Sequence, residues 1–456
     1  MERYPQGGDI LSGSMLILVA VAGIFALLFL VIRTKLHAFV ALLLVSLLVG
    51  VAAGMPLDQV IESVQSGMGG TLGFVAVVVG LGAMFGKMLE VSGGAERLAA
   101  TLIKKFGEDK APWALGVTGF IVAIPVFFDV GFIILVPIVY GLARKTGKSL
   151  LHYGIPLLAG LAVTHSFIPP TPGPIAVAQL VNADMGWVIL FGAIAGLPAM
   201  ILAGPLFGRY IGKKIHVAIP DYMEIEEQQY DKELPGFGTI VFLILIPLIL
   251  ILMNTVSGVL LEEGNIVRSI LTFLGHPFVA LTIATLLTFY ILGTKRGYTR
   301  QEVQDIATKS LEPAGIIILV TGAGGVFKQV LIDSGVGEVL GDMMAGSPLP
   351  PIVLAFLIAT AVRVAQGSAT VAMVTAAGLI TPLLEMVNMT GPALGLIVIA
   401  IASGATVLSH VNDSGFWLVN RYFGLDVKDT LKSWTIMETI IGLTGFVVVL
   451  ILSFFI

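Results

Sequence analysis

The chain has 456 residues, of which 57% are hydrophobic and only 12% charged, and its mean hydropathy is +0.99. Ordinary soluble proteins carry about 25% charged residues, so a water-soluble enzyme is excluded, as is a polar disordered chain, and a polytopic membrane protein remains. The net charge of -4 offers no footprint for nucleic acid, and with no cysteine there is neither a disulfide nor a thiolate metal site.

A membrane-crossing helix needs about 20 mostly apolar residues. Read in chain order, the hydropathy pattern predicts spans at 15–33, 37–54 and 69–86. The first lacks a small-residue cleavage site and is followed by more spans, so it reads as a span and not as a cleavable leader. The apolar stretch 113–142 comes next. At about 1.5 Å per residue it is too long for one crossing and too short for two. Pro125 and Asp129 interrupt it, and it reads as a re-entrant hairpin. Spans at 153–180 and 186–211 follow, then a polar linker at 213–236.

The second half repeats the order. Spans are predicted at 237–258, 276–294 and 312–331. A second hairpin, 350–384, is interrupted by Arg363 and by Gly367-Ser-Ala-Thr370. Spans at 392–418 and 433–455 close the chain. The expected fold class is an all-α polytopic membrane protein with five spans and one re-entrant hairpin in each half.

Lys and Arg concentrate in cytoplasmic loops. The map places 21 of the 25 Lys and Arg on one side, with Arg3, Arg268 and Lys328 opposite and Arg363 inside a hairpin. Both termini are therefore expected outside the cytoplasm, with the 213–236 linker inside it.

The halves are related in sequence. Seven of the 12 positions in 37–48 are identical in 276–287, beginning with His37 and His276. A second match pairs 82–98 with 324–340, through Gly82, Phe85, Leu89, Ser92, Gly93, Glu96 and Leu98 with Gly324, Phe327, Leu331, Ser334, Gly335, Glu338 and Leu340. The first copy is rich in Lys and Arg after the motif; the second carries little. An odd number of spans per unit explains this, because it turns the second copy upside down. The expected units are a first inverted repeat at 1–212 and a second at 237–456, the arrangement of secondary transporters, whose sites lie between the repeats near the bilayer midplane.

Irregular backbone survives at membrane depth only where protein or a water-filled cavity satisfies it. Four such breaks are expected, at 127–131, 164–174, 366–370 and 408–415. Pro169, Pro170, Pro172 and Pro174 cannot extend a helix. Gly367, Ser368 and Thr370 have the look of a helix N-terminus, where Ser caps and free N–H groups favour an anion. Arg363, inside the same hairpin, is a costly residue in a membrane and suits a carboxylate; an ion pair with Asp129 or Asp413 is its structural alternative. Thr164, Ser409 and Asn412 are candidates for substrate hydroxyls. Asp129, His165, His410 and Asp413 are candidates for carrying a coupling proton. His165 follows Ala159-Gly160 and His410 follows Ser403-Gly404, at spacings that differ by one. No HExxH motif, paired cysteines or phosphate-binding loop is present, so neither a metal nor another cofactor is expected.

At Gly50–Pro56 with Gly69-Gly-Thr-Leu-Gly73, at Phe128-Asp-Val-Gly131, at Pro169–Pro174, at Gly367–Ala372 and at Ser409–Trp417 the chain resembles the gluconate permease family. The resemblance covers nearly the whole chain. It implies import of gluconate or a related sugar acid, with D-serine as the substrate of some members, across the bacterial inner membrane by proton symport. It also implies a place in the broader ion-transporter superfamily, whose members form homodimers and move a transport domain past a scaffold. The chain departs from many members at Thr171, where they carry His, and from some at Asp129, where they carry Glu. Arg363 and the Ser409–Asp413 run look more like the sugar-acid branch than the D-serine branch. The alternatives are a sodium-coupled carrier, an anion channel, and an intramembrane serine hydrolase built on Ser368 and His410.

Overall fold

The computed structural model describes residues 13–220, 233–335 and 349–456, and all regular structure in them is helical. Part of the linker, and the Glu338 and Leu340 positions of the second repeat match, lie outside the described residues.

The first half begins with α1 (Gly13–Ile32), α2 (Ala38–Ala52), α3 (Leu57–Val91) and α4 (Gly94–Phe106). Hairpin legs α5 (Ala111–Val122) and α6 (Phe128–Thr146) follow, then the interrupted pair α7 (Leu150–Phe167) and α8 (Pro172–Leu180). Helix α9 (Met185–Ile201) passes through a π turn into α10 (Phe207–Lys214). The second half runs α11 (Phe237–Leu260), α12 (Ile266–Gly275), α13 (Pro277–Thr288) and α14 (Arg300–Asp333). Its hairpin is α15 (Pro351–Gln366) and α16 (Ala369–Met386), its interrupted pair α17 (Pro392–Gly404) and α18 (Ser414–Phe423). A short α19 (Val427–Thr430), a π turn and α20 (Ile436–Leu452) end the chain.

Among the described residues, eight helical segments are long and apolar enough to cross a membrane. One is the second hairpin leg, Ala369–Met386. Helices α3 and α14 have 35 and 34 residues, far longer than the spans expected there. At about 1.5 Å per residue each is roughly 50 Å long, against a hydrocarbon core of about 30 Å. Hydropathy registers only the apolar part, whereas the polar ends, which include Asp58 and Glu62 in α3 and Lys309 and Glu312 in α14, continue the helix, in α14 through Pro313. The short α4 and α12 escape a hydropathy reading for the same reason: one is amphipathic and the other has 10 residues.

All four expected interruptions are present, two with narrower bounds and two shifted toward the N-terminus. Helix α7 runs through Thr164 and His165 and stops before Pro169; Pro172 opens α8, and the Pro169–Pro170 bond is cis. Proline disfavours a helical residue before it and is well suited to the first helical position, which explains both edges. At the second hairpin only Gly367 and Ser368 leave the helix, Gly367 with φ +92°. At the first hairpin the irregular stretch is 123–127, so Asp129 sits in the first turn of α6 rather than in the turn itself. The widest interruption, 405–413, holds Leu408 at φ +55°, a conformation costly for a branched side chain.

Lipid supplies little hydrophobic force between helices, so membrane helices associate through close packing at small residues. The two halves use the same device. A Cβ on Gly160 would lie 2.1 Å from the Gly116 carbonyl oxygen, and one on Gly404 would lie 2.3 Å from that of Phe356. Each glycine thus seats an interrupted helix on the first leg of its own hairpin, α7 on α5 and α17 on α15. The second legs cross over. Phe132 of α6 meets Tyr422 and Phe423 of α18 edge-on, and Tyr140 donates to the Tyr422 carbonyl at 2.7 Å. Reciprocally, α8 lies against α16, where Thr381 and Lys328 both donate to the Leu180 carbonyl. His37 and His276 cap α2 and α13 identically: each Nδ1 accepts the N–H two residues on, at 3.3 Å.

Candidate functional site

The crossing of the hairpins and interrupted helices gathers charge at one place. Arg363 lies one turn before the end of α15 and is 2% exposed. Its Nη2 donates to Asp413 Oδ2 at 2.5 Å. Of the two carboxylates considered for it, Asp413 is therefore the partner. Asp413 caps α18 by accepting the Gly415 N–H on Oδ1 at 3.1 Å, and takes a second bond on Oδ2 from Ser409 at 2.5 Å. The pair is thus embedded in hydrogen bonds, which a buried ion pair requires to offset desolvation.

The interrupted loop is fastened from two sides. His410 Nε2 and Asn412 Nδ2 both donate to the Val364 carbonyl, each at 3.0 Å. That carbonyl is free to accept because Gly367, donating to Arg363 and carrying φ +92°, ends the α15 ladder there. Gly367 is required sterically as well, since a Cβ would lie 2.2 Å from the Asn412 carbonyl oxygen. From the other side α20 and its preceding π turn hold the loop. Trp434 Nε1 donates to Ser409 Oγ at 2.7 Å, Thr435 Oγ1 donates to the Ser409 carbonyl, and Thr439 Oγ1 accepts the Leu408 N–H at 3.2 Å. Wide turns of this kind recur at functional sites because they reorient the side chains around them.

Several polar atoms in this cluster are buried without a hydrogen-bond partner. They are Arg363 Nε and Nη1, Asn412 Oδ1 and Glu438 Oε1. Such atoms are rare in folded proteins and call for an explanation. Two donors of a guanidinium fork beside an amide oxygen can take a carboxylate and a hydroxyl. Ser368 caps α16, accepting the Val371 N–H; the preceding first-turn N–H groups of α16, Thr370 among them, add the donor end of a helix dipole. Ser368 is exposed and Thr370 half-buried.

The first half contributes apolar walls and one acid. Phe128 contacts Trp434 with ring centroids 5.4 Å apart, and Phe127 and Phe128 flank the half-buried His165 at 6.4 and 6.5 Å. His165 Nδ1 is buried without a partner. Asp129, which is exposed, lies within electrostatic reach of Asp413, as does His165. Thr164 stands apart from the polar cluster: it is fully buried and its hydroxyl donates to the Phe120 carbonyl at 2.8 Å, tying α7 to the hairpin. Ser409, 1% exposed, has both hydrogen-bonding roles of its hydroxyl occupied within the protein.

Glu438 is a buried acid of this cluster that the sequence analysis does not include among its candidates. It lies on α20, 4% exposed, one turn beyond Trp434 and within electrostatic reach of Arg363 and Asp413. The signal was present: a lone acid inside a predicted span is a functional candidate by default.

Comparison with known proteins gives these features a family. The model of the GntP family permeases matches residues 15–455. The chain is 45% identical to the low-affinity gluconate transporter of Escherichia coli (strain K12) over 433 residues, 95% of this chain and 97% of that protein. It is 42% identical to the gluconate permease of Pseudomonas aeruginosa over 441 residues, 96% and 97% of the two chains. It is 40% identical to the Gnt-II system L-idonate transporter of Escherichia coli (strain K12) over 439 residues, 96% and 99%. Among solved structures, the YdaH transporter of Alcanivorax borkumensis shares the fold with a TM-score of 0.66 at 14% identity, covering 92% of this chain and 98% of that one. The MtrF structure of Neisseria gonorrhoeae gives 0.65 at 13% identity, with 90% and 93% covered. A permease family model over residues 15–455, and relatives named as transporters that are 40–45% identical over nearly the whole chain, make this multi-pass membrane protein a transporter and not an enzyme: the chain belongs to the GntP family of permeases.

Proposed function

We propose that the protein is a secondary active importer of gluconate or a closely related sugar acid, driven by proton symport across the bacterial inner membrane. The observation that carries this reading is Arg363, a buried guanidinium with two unpartnered nitrogens at an interrupted hairpin. The relatives' names, gluconate and L-idonate transporters, point to hydroxylated carboxylates that such a site can grip. Arg363 Nε and Nη1 and the α16 N-terminus at Gly367, Ser368 and Thr370 hold the carboxylate. Asn412 Oδ1 accepts a sugar hydroxyl. The proposal includes the inverted pairing of units 1–212 and 237–456 about the linker, both termini outside the cytoplasm, and a homodimer whose transport part moves past a scaffold.

The test is uptake by proteoliposomes of purified protein, with labelled gluconate and competing aldonates, L-idonate and D-serine. Saturable uptake and counterflow, driven by an inward proton gradient and insensitive to a sodium gradient, are expected. Non-saturable flux without counterflow would make the protein a channel, and accumulation driven by sodium alone would overturn proton coupling. Preference for D-serine over every aldonate would overturn the sugar-acid assignment.

A further inference from the structure

The buried acid Glu438 has no use in the site as a carboxylate-binding surface. Its Oε1 has no hydrogen-bond partner and the residue is 4% exposed. It lies one turn beyond Trp434, whose Nε1 binds Ser409, and Ser409 in turn binds Asp413, so it belongs to the cluster around a salt bridge that is already complete: Asp413 neutralises Arg363 at 2.5 Å. The charged groups that act on it from neighbouring elements are Arg363 of α15 and Asp413 ahead of α18. Asp129 of α6 and His165 of α7 act in turn on Asp413. On its own helix the neighbours are Trp434 and Thr435, whose polar atoms are bound to Ser409.

A charge count follows. The Arg363–Asp413 pair has no net charge. A bound carboxylate adds one negative charge, and an ionised Glu438 would add a second, with a single guanidinium to face three carboxylates. An uncompensated charge is expensive in such a site. A proton on Glu438 removes one negative charge and leaves the guanidinium to be shared between Asp413 and the incoming anion. We propose that Glu438 is the group that takes up the coupled proton, so that protonation and sugar-acid loading favour one another. The step balances: a proton from the outer solution joins a Glu438 carboxylate oxygen, the substrate anion joins the free Nε and Nη1 of Arg363, and both leave on the opposite side. The coupling is reciprocal by linkage: whatever a proton adds to substrate affinity, substrate adds to proton affinity. Glu438 acts through Arg363 and need not touch the substrate. The α20 backbone is kept in register for this by Trp434, Thr435 and Thr439, all fastened to the 408–409 loop.

This inference rests on the sugar-acid symport reading, and its test separates the two. In lightly buffered detergent solution, adding gluconate to the full-length wild type is expected to draw about one proton per molecule bound, read with a pH dye. Where Glu438 titrates, gluconate affinity is expected to weaken by up to about tenfold per pH unit, the limit for one linked proton. E438Q, which imitates the protonated form, is expected to bind gluconate without proton uptake and with a flat pH profile. In proteoliposomes it exchanges gluconate but does not accumulate it on a proton gradient. Proton uptake on binding, or gradient-driven accumulation, by E438Q would overturn the inference while leaving symport intact. A wild type that neither binds nor transports gluconate would overturn the underlying reading instead. If E438Q does not fold, E438D decides: a displaced pH profile of affinity supports the assignment, and a profile identical to wild type overturns it.

Discussion

Residues 168–171 and 405–413 interrupt helices that lean on their hairpins through the same glycine contact, yet the two interruptions are built from different chemistry. The first is dry. Pro169, Pro170 and Pro172 remove donors from the backbone, the segment is buried throughout, and the nearby Thr164 and Thr171 hydroxyls both go to local or hairpin carbonyls. The second is charged. Asp413, Ser409, His410 and Asn412 bind the second hairpin and the last helix through side chains. One architecture thus supplies two solutions to the same backbone problem. Where proline removes the donors, the loop backbone offers few N–H groups. Where polar side chains satisfy the loop, a buried Arg363 pairs with it and keeps two nitrogens without a partner.

Substitutions can break this contrast, and the largest effect is expected at the charged interruption. Arg363→Ala leaves Asp413 as a buried uncompensated charge, a loss of about 3–5 kcal/mol. Thermal unfolding in detergent should show it, together with loss of gluconate uptake; a variant with wild-type stability and affinity would remove Arg363 from the site. Gly160→Ala and Gly404→Ala come next. Each methyl meets a carbonyl oxygen at 2.1 or 2.3 Å, and overpacking of this kind costs about 1–3 kcal/mol. Similar losses in the two variants are expected, and a loss at only one would end the structural equivalence of the halves.

Smaller effects sharpen the comparison. Trp434→Phe removes one donor to Ser409 while keeping the ring against Phe128, a cost of about 1 kcal/mol. Since Ser409 orients Asp413, gluconate affinity should fall several-fold in equilibrium binding; unchanged affinity would show that the loop does not depend on this bond. Thr164→Val loses a similar single hydrogen bond, again about 1 kcal/mol. It lies on the dry side, so the melting temperature should drop with KM for gluconate unchanged. A raised KM would bring the first interruption into the binding site.

Much of this arrangement was legible along the chain. Pro125, the run from Pro169 to Pro174, Gly367-Ser368 and the Ser409–Asp413 polar run each mark an interruption that the structure contains. Gly160 and Gly404, and His37 and His276, recur at matched places and do matched work. Less legible were the edges. Thr164 and His165 read as open loop but complete the last turn of α7, because proline constrains only the residues beside it. Asp129 read as the hairpin turn but lies within the first turn of α6, where the helix dipole favours an acid. Glu438 carried a visible signal, an acid in a span, and was passed over because no broken-helix motif adjoins it.

Composition and local pattern determined that this chain lives in a membrane, that its helices are interrupted twice in each half, and that an arginine lies inside one hairpin. These are short-range properties: hydropathy, proline and glycine act on the residues beside them. Only tertiary structure decided that Arg363 pairs with Asp413, 50 residues away, and that Glu438 of the last helix is buried within electrostatic reach of the same pair. The choice between carboxylates depends on how α15, α18 and α20 pack together, and distance along a chain carries no record of that.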